Sequence, residues 1–334
     1  MNTTPDPSAP TQTHLVVGAG PVGRATAGRL AERGHDVVVL TRSGTDVGIA
    51  GVRSVAGDAS DLDSLVRHAT GAASIVNAAN PPYHRWDELW PPVAEAMLAA
   101  AEQTGATLVT MSNLYGYGEG PYDESSPMTE ASPLGAESSK GQIRARMWRQ
   151  ALAAHEDGRA RVVEARASDF IGPGLGDGSH MGDRVTDRVA KGKSAQVFGA
   201  VDQPHSWTYM GDVGRLLADL ATTPSSWGRV WHVPTNAPRT ATQVVHDMCR
   251  AHGVEPVKVS TMPKWMLFAA GVVVPAIREL GEVRYQFDAP FVMDSSAATE
   301  AFGWSATPWD EVMAATMAPY GGAAADGATT KHAA

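Results

Sequence analysis

Short apolar runs alternate with stretches of helical spacing through the first two thirds of the chain. The connections between these runs and the helical stretches are tight, which is typical of strands in a parallel sheet covered on both faces. The runs predict strands at residues 14–17, 36–40, 52–56, 74–78, 107–111, 161–165 and 229–233. Helical spacing covers residues 22–33, 92–104, 139–155 and 213–221. This alternation predicts an α/β fold with a Rossmann-type, doubly wound parallel sheet.

The pattern changes after Phe170, and a glycine-rich loop occupies residues 172–183. We therefore predict a dinucleotide-binding domain and a smaller C-terminal substrate-binding domain. The first takes residues 13–173 plus about 205–235, and the second about 174–204 plus 236–318. Residues 1–12 and 319–334 are predicted to be disordered tails. The apolar stretch 265–277 is shorter than the about 20 residues that span a bilayer, so it predicts a buried helix.

Composition narrows the classes of function. The formal net charge is −9 and no basic run interrupts it, which disfavours nucleic acid as a partner. The single cysteine, Cys249, excludes an intramolecular disulfide and a cysteine metal cluster. No His, Asp or Glu group has metal-ligand spacing, so no metal is predicted. Without a signal or membrane-spanning pattern, we expect a cytoplasmic protein without a membrane partner.

A glycine-rich turn lies between the first predicted strand and the first predicted helix, where a dinucleotide phosphate loop belongs. Gly18 permits the tight turn, Gly20 admits the pyrophosphate, and Gly23 lets the helix pack closely on the strand. Pro21 and Val22 complete the loop, and the helix N-terminus faces the phosphates. The sequence therefore predicts an NAD(P) site.

The end of the second strand indicates which dinucleotide is preferred. NAD sites tend to place an acidic residue there for the ribose hydroxyls. This chain has Thr41, Arg42 and Ser43 instead. A guanidinium suits a 2′-phosphate, so NADP is predicted over NAD. The alternative is that Arg42 stacks on the adenine or faces solvent.

Several motifs in order extend the match far beyond the glycine loop. Together they resemble the extended short-chain dehydrogenase/reductase superfamily, in its NAD-dependent epimerase/dehydratase group, over about residues 13–310. The motifs are the loop 18–23, Gly57-Asp58, Asn77-Ala78-Ala79-Asn80, Ser112-Asn113-Leu114-Tyr115-Gly116, Lys140, Phe170-Ile171-Gly172-Pro173-Gly174, Tyr209-Met210-Gly211-Asp212-Val213, Asp294-Ser295-Ser296 and Phe302-Gly303-Trp304.

The resemblance implies roles at individual positions. Asp58 accepts a hydrogen bond from the adenine amino group, with Ala59 beside it, and Lys140 holds the nicotinamide ribose. Further cofactor contacts are implied for Asn77, Ala78, Ala79, Ala167 and Ser168. A homodimer through the helices at 92–104 and 139–155 is also implied.

The chain departs from the family pattern at the catalytic centre. The family's catalytic Tyr lies four residues before the Lys, and that position here is Ala136. The family's Ser or Thr falls on Met111. Ser112, at the exit of its predicted strand, remains a candidate because side-chain alternation breaks down where a strand ends. Lys140 and Ser112 are thus what remains of the usual group.

Other side chains are candidates for the missing proton donor. They are Tyr115, Tyr117, His84 and Tyr209, each of which has a purely structural alternative. Candidates for substrate contact are Asn80, Trp86, Tyr115, His205 and Trp207. The aromatic residues favour a small apolar or ring-bearing substrate. A sugar nucleotide remains an alternative substrate, because its diphosphate could be bound by the cations Arg184, Arg188, Lys191 and Lys193.

Three functions follow from these observations. The first is an NAD(P)-dependent oxidoreductase acting on a small carbonyl or alcohol with a non-standard proton donor. The second is an epimerase, isomerase or dehydratase that uses the cofactor transiently, with a sugar nucleotide among its substrates. The third is a non-catalytic dinucleotide-binding protein whose ligand state is read by a partner.

Overall fold

A seven-stranded parallel sheet forms the centre of the computed structural model, which describes residues 11–263 and 280–321. Its strands are β1 Thr13–Val17, β2 Asp36–Thr41, β3 Val52–Ala56, β4 Ser74–Asn77, β5 Thr107–Asn113, β6 Val162–Ala167 and β10 Val230–His232. They are arranged in the order β10-β6-β5-β4-β1-β2-β3, and every neighbouring pair runs parallel. The order reverses beside β1, so the predicted doubly wound sheet is confirmed.

Helices cover both faces of this sheet. In chain order the α-helices of the described residues are α1 Pro21–Glu32, α2 Leu62–Ala69, α3 Trp86–Thr104, α4 Ser139–Glu156, α5 Asp183–Ala190, α6 Met210–Thr222 and α7 Ala241–His252, followed by Tyr285–Asp288, Ser296–Phe302 and Trp309–Met317, of which α5, α7 and Trp309–Met317 pack in the C-terminal part rather than on the sheet. α1 and α6 pack on one face with side chains such as Val16 and Val109. α2, α3 and α4 pack on the other with Leu15 and Leu108. The continuous apolar runs of the strands supply both layers.

Two helices differ from the prediction. α2 was not predicted, although Asp61 caps it by accepting hydrogen bonds from the backbone of Asp63 and Ser64. α3 begins at Trp86 rather than at residue 92. Its two prolines predict a later start, because proline lacks the N–H that a helix interior uses. The helix nevertheless begins earlier, because this places the side chains of Trp86 and Trp90 in the buried core.

A smaller hydrophobic cluster lies in the C-terminal part, around Val185, Val244 and Val312. Two short parallel pairs accompany it, β7 Asp169–Ile171 with β9 Trp207–Tyr209 and β8 Ala195–Val197 with β11 Val259–Thr261. The predicted division into two domains stays a prediction. The predicted helix at 265–277 and most of both predicted tails lie outside the described residues.

Candidate active site

The glycine loop has the geometry that a bound pyrophosphate requires. Gly18 has a φ of +108°, and a Cβ there would lie 2.6 Å from the carbonyl oxygen of Ala78. A Cβ on Gly23 would overlap the carbonyl oxygen of Gly18. Around Gly20, in contrast, a Cβ would meet nothing within 4 Å. Because no side chain caps the N-terminus of α1 at Gly20, its backbone N–H groups are available to an anion. These residues fit a dinucleotide phosphate.

The segment after β2 forms a hydroxyl-lined turn. The Thr41 hydroxyl accepts a hydrogen bond from the backbone of Gly44 at 3.0 Å. Arg42 is exposed at the end of the strand. Hydrogen bonds from the Ser60 backbone and hydroxyl hold the pKa of Asp58 below its usual range, and the charge of Arg42 adds to this effect. Arg42 and Asp58 therefore act on each other at the same edge of the sheet.

Other predicted cofactor residues lie at strand ends of this edge. Asn77 ends β4, and its side-chain oxygen accepts a hydrogen bond from the backbone of Ala79 at 3.2 Å. Ser168 follows β6, and its backbone N–H donates to the Thr208 hydroxyl at 3.2 Å. The carboxyl ends of parallel strands are where such sheets bind ligands. The cofactor roles of these residues remain predictions.

Lys140 lies in the first turn of α4, next to the position of the missing tyrosine. Its ammonium donates to one carboxylate oxygen of Glu282 at 2.9 Å, and its backbone N–H donates to the other at 3.1 Å. The Lys140 side chain is 4% exposed and that of Glu282 is 25% exposed. Glu282 belongs to the short 3-10 turn Leu280–Val283. No sequence motif pointed to Glu282, because the contact is made between distant parts of the chain.

A pair of phenols lies beside Lys140. The ammonium is 4.8 Å from the centre of the Tyr83 ring, and the Tyr83 hydroxyl donates to that of Tyr115 at 3.4 Å. Burial raises the pKa of Tyr83 far above its usual value, and burial raises that of Tyr115 to about 12. Both phenols are therefore neutral near pH 7. Tyr115 was a candidate donor from the sequence, whereas Tyr83 was missed because only the fold brings it to α4.

The other candidate donors occupy different surroundings. Tyr117 is buried, and its hydroxyl pairs with Nε2 of His232 at 2.7 Å. His84 is exposed in the 3-10 turn Tyr83–Arg85. Tyr209 is half-buried and packs beside Gly172. These contacts give each residue a structural role, and their catalytic roles remain predictions.

The position of Ser112 differs from the sequence prediction. β5 continues to Asn113, so Ser112 lies within the strand and pairs in register with Arg166. Strand alternation therefore still applies, and Met111 belongs to the layer of α1 and α6 on the opposite face. The Ser112 hydroxyl is buried without a hydrogen-bond partner among the described residues.

On the substrate side, the buried His205 pairs with the half-buried Asp169. Its Nε2 lies 2.9 Å from the Asp169 carboxylate, and its Nδ1 lies 3.1 Å from the carbonyl oxygen of Gln286. Burial alone would raise the pKa of Asp169, but the hydrogen bond and charge of His205, with the charge of His180, hold it below its usual range.

The predicted substrate aromatics are more buried than expected. Trp86 is 4% exposed and Trp207 is 3% exposed. The Trp207 indole donates to the carbonyl oxygen of Arg239 at 2.8 Å, and its ring lies 4.6 Å from that of His205. Asn80 is exposed. Their contacts with substrate remain predictions.

The cations around α5 are mostly engaged by their own neighbourhood. Arg184 donates to the carbonyl oxygen of Gln196, and Arg188 donates to that of Ser194 at 2.6 Å. Lys191 pairs with Asp187 at 2.7 Å. These bonds engage Arg184, Arg188 and Lys191 with local groups, while the second terminal nitrogen of Arg184 is buried without a hydrogen-bond partner among the described residues.

The family model of the NAD dependent epimerase/dehydratase family matches residues 14–233. The chain belongs to this family. It is an NAD(P)-dependent enzyme of the extended short-chain dehydrogenase/reductase type, as the resemblance predicted. No functionally curated protein matches the chain in sequence.

Solved structures share the fold over nearly the whole chain. MoeE5, in complex with UDP-glucose and NAD, is 21% identical with a TM-score of 0.72 and covers 92% of this chain and 97% of its own. A dTDP-glucose 4,6-dehydratase from Bacillus anthracis, in complex with NAD, is 15% identical with a TM-score of 0.74, covering 93% and 96%. A UDP-glucose 4-epimerase from Thermus thermophilus, also with NAD, is 19% identical with a TM-score of 0.73, covering 92% and 98%. At these identities the likeness establishes the fold alone.

Two searches of the described residues bear on partners. None of their helices is long and apolar enough to cross a membrane. Among the same residues, no group of three or more His, Cys, Asp or Glu side chains is arranged to hold a metal ion. The cytoplasmic location stays a prediction.

Proposed function

We propose that this enzyme is an NADP-preferring oxidoreductase that acts on a small, uncharged, ring-bearing carbonyl or alcohol substrate. In this proposal Tyr115 exchanges the proton with the substrate oxygen, and Tyr83 orients it. The observation that carries the proposal is the Tyr83–Tyr115 hydrogen bond beside Lys140. It brings a phenol pair next to the family's lysine, although Ala136 cannot supply one.

The direction of the hydrogen bond matters for the chemistry. Tyr83 donates to the oxygen of Tyr115, which leaves the Tyr115 proton for another acceptor. When bound, the nicotinamide supplies or accepts the hydride. A Tyr115 phenol with its pKa at about 12 is protonated at neutral pH, so it can donate to an alkoxide, which is a stronger base. The arrangement therefore favours reduction of a carbonyl over oxidation of an alcohol.

The charge balance of the site supports an uncharged substrate. The Lys140 ammonium contacts Glu282, and the His205 ring contacts Asp169. Lys140 thus has a carboxylate within hydrogen-bond distance, and the other cation of α4, Arg144, is buried between the rings of Trp86 and Trp90. A diphosphate brings two or more negative charges and needs cations that are not already matched. The pairing disfavours a sugar nucleotide and suits the apolar or ring-bearing class predicted from the tryptophans.

The test is consumption of NADPH with a panel of ring-bearing aldehydes and ketones, compared with UDP- and dTDP-sugars. We expect turnover with members of the first group. Tyr115→Phe should then lower kcat by about 10²- to 10⁴-fold, the usual contribution of a proton donor, and leave the Kd for NADPH unchanged. Tyr209→Phe is the matched control, because it removes a phenol outside the pair, and it should retain activity.

Three results would count against the proposal. Full activity of Tyr115→Phe would exclude this residue as the donor. Activity lost in Tyr209→Phe alone would move the donor to that residue. Tight NADPH binding without turnover of any carbonyl or sugar nucleotide would favour the non-catalytic function.

The preference for NADP rests on Arg42. Its guanidinium is exposed at the end of β2, and the nearby Asp58 carboxylate holds two hydrogen bonds from Ser60. A fork of guanidinium donors suits the 2′-phosphate, while the Thr41 and Ser43 hydroxyls add donors near the same place.

A second candidate is an epimerase or dehydratase, which family membership favours. Such an enzyme oxidises and re-reduces its substrate, so the cofactor returns to its starting state. It predicts a dinucleotide retained through purification and a product formed without net change in NADPH. Conversion of a UDP- or dTDP-sugar without NADPH consumption would replace the oxidoreductase proposal.

We also propose a homodimer through α3 and α4. A groove between these helices is lined by the half-buried Leu98, Met147 and Ala151. Apolar side chains at the centre of a surface are typical of an interface between subunits. Leu98→Glu should convert a dimer into a monomer in size-exclusion chromatography with light scattering, and a monomeric unmodified protein would contradict this assembly.

A further inference from the structure

Arg144 is a buried cation that the proposed chemistry has not used. It lies one turn after Lys140 on α4, and it is 7% exposed. Its guanidinium is clamped between two rings of α3, 4.7 Å from the centre of Trp86 and 4.3 Å from that of Trp90. Nε and one terminal nitrogen are buried without a hydrogen-bond partner among the described residues. Burying such a charge costs free energy unless interactions with neighbouring groups offset the lost hydration.

The neighbours of Arg144 include the phenol pair. The Trp86 ring lies 6.0 Å from that of Tyr115 and 5.1 Å from that of Tyr83, so both phenols share the aromatic wall that holds the guanidinium. Burial lowers the pKa of Arg144 from its usual value, while Glu164, Tyr115 and Tyr83 favour its charged form. A guanidinium nevertheless keeps its proton at any pH at which a protein side chain is normally titrated. The group is therefore positive at neutral pH, and the phenols respond to its charge.

The two cations of α4 differ in their surroundings. The Lys140 ammonium is paired with the Glu282 carboxylate through one hydrogen bond, and the Lys140 backbone N–H donates a second one to the same carboxylate. Arg144 has no carboxylate within salt-bridge distance among the described residues, because Glu164 pairs with Arg166 at 2.7 Å. In a low-dielectric interior, a cation without a close counter-ion acts over a longer distance than a paired one.

We propose that Arg144 is a positioning residue whose buried charge stabilises the ionised form of the Tyr83–Tyr115 pair. Lys140 contributes less to this stabilisation, because its charge is paired with that of Glu282. This inference rests on the proposed role of Tyr115 as proton donor. The charged or titratable groups around the pair are Lys140 and Arg144 from α4, Glu282 from the turn Leu280–Val283, Tyr285 from the helix that follows this turn, and Asp169 from β7, while Glu164 from β6 acts on Arg144.

The sign of the effect follows from these charges. Burial raises the pKa of Tyr115, and Asp169 raises it further, whereas Arg144 lowers it. Removing the guanidinium should therefore raise the pH at which Tyr115 ionises. Removing the carboxylate of Glu282 should do the opposite, because it unmasks the charge of Lys140 and removes an anion that raises the pKa of Tyr83.

The experiment is a pH titration of the full protein labelled with fluorotyrosine, followed by fluorine NMR. Tyr115→Phe assigns the signal. Arg144→Met keeps the volume and removes the charge, and we expect it to raise the Tyr115 midpoint by about one pH unit. Arg144→Lys should restore the original midpoint, and Glu282→Gln should lower it. Arg146→Met, which removes an exposed charge from the same helix, is the matched control and should leave the midpoint unchanged.

Turnover provides the second measurement. In the direction of alcohol oxidation, the pH profile of kcat/KM for Arg144→Met should move to higher pH, with about tenfold lower kcat/KM below the midpoint. A merely structural Arg144 would lower activity without moving either the profile or the midpoint. An unmoved Tyr115 midpoint in folded Arg144→Met overturns the inference.

The two proposals fail separately. If Tyr115→Phe is fully active while Arg144→Met still moves the Tyr115 midpoint, the proposed donor is wrong and the electrostatic assignment of Arg144 stands. If Tyr115→Phe is inactive and the midpoint does not move, the donor stands and the inference about Arg144 is wrong.

Discussion

The phosphate loop and the proton-donor region lie on the same sheet but relate differently to the sequence. At the loop, Gly18 and Gly23 are fixed by backbone contacts within a few residues of a strand, so a local motif contains the whole site. Around Lys140, the side chains come from α4, the loop after β4, the turn after β5 and the turn Leu280–Val283. The first region has the glycine pattern of the family. The second has Ala136 at the position where the resemblance implies a tyrosine, and side chains from other elements surround Lys140 there.

The difference shows which part of such a scaffold can change. Backbone shape at the loop leaves no room for a side chain at Gly23, so the loop tolerates little variation. A proton donor needs only the right atom near the right place, and a phenol from another element can supply it. In the proposed account, the glycine loop binds the cofactor phosphates, while the proton is handled by Tyr115 and Tyr83, a pair that no short motif specifies.

The largest effect is expected at the phosphate loop. Gly23→Ala forces a Cβ against the carbonyl oxygen of Gly18, so the loop must open and the Kd for NADPH should rise by at least about 100-fold. Gly28→Ala is the control on the same helix, because a Cβ there meets nothing within 4 Å. Isothermal titration calorimetry measures both. Equal affinities for the two variants would show that the loop does not hold the pyrophosphate.

A smaller effect is expected at the cofactor's ribose end. Arg42→Ala should weaken NADPH about tenfold and leave NADH nearly unchanged, since only NADPH carries the 2′-phosphate. The control is Arg24→Ala, which removes an exposed arginine at a different place, in α1. If the ratio of the two dissociation constants stays constant in Arg42→Ala, the NADP preference is wrong.

The smallest effect is expected on the substrate side, in the stability of the Asp169–His205 pair. The pKa of Asp169 is depressed in the folded protein, so its ionised form contributes stability at pH values above its unfolded pKa, near 4. Asp169→Asn should therefore lower the free energy of unfolding by about 1 kcal/mol at pH 7. The difference from the unmodified protein should shrink as the pH falls through the folded pKa.

Urea unfolding at several pH values checks this dependence. Asp177→Asn changes another acidic residue, in the loop before α5, and serves as the control. A difference between Asp169→Asn and the unmodified protein that persists unchanged into strong acid would show that the carboxylate charge is not the stabilising feature.

Local patterns predicted the parallel sheet well, because most of its strands are buried and are therefore recognisable in the sequence as apolar runs. They failed at α3, where Pro91 and Pro92 suggested a helix start and the buried Trp86 extended the helix instead. They also failed at Ser112, since pairing with β6 carries β5 to Asn113. In each case packing between distant segments decided the outcome.

The candidate site shows the same limit. Gly18, Lys140 and Tyr115 belong to recognisable motifs, so the sequence points to them. Tyr83 and Glu282 do not, because each reaches Lys140 only through the folded arrangement of its loop. Arg144 belongs to none of the motifs, and only the structure reveals that it lies between Trp86 and Trp90.

The central claim is that the Tyr83–Tyr115 pair replaces the phenol absent at Ala136. A crystal structure with NADPH and a carbonyl inhibitor or the product alcohol tests it most directly. The account predicts that the reacting oxygen lies within about 3.2 Å of the Tyr115 hydroxyl, with Tyr83 still hydrogen-bonded behind it. A reacting oxygen held instead by Glu282, His205 or Ser112, with Tyr115 turned away, would contradict it.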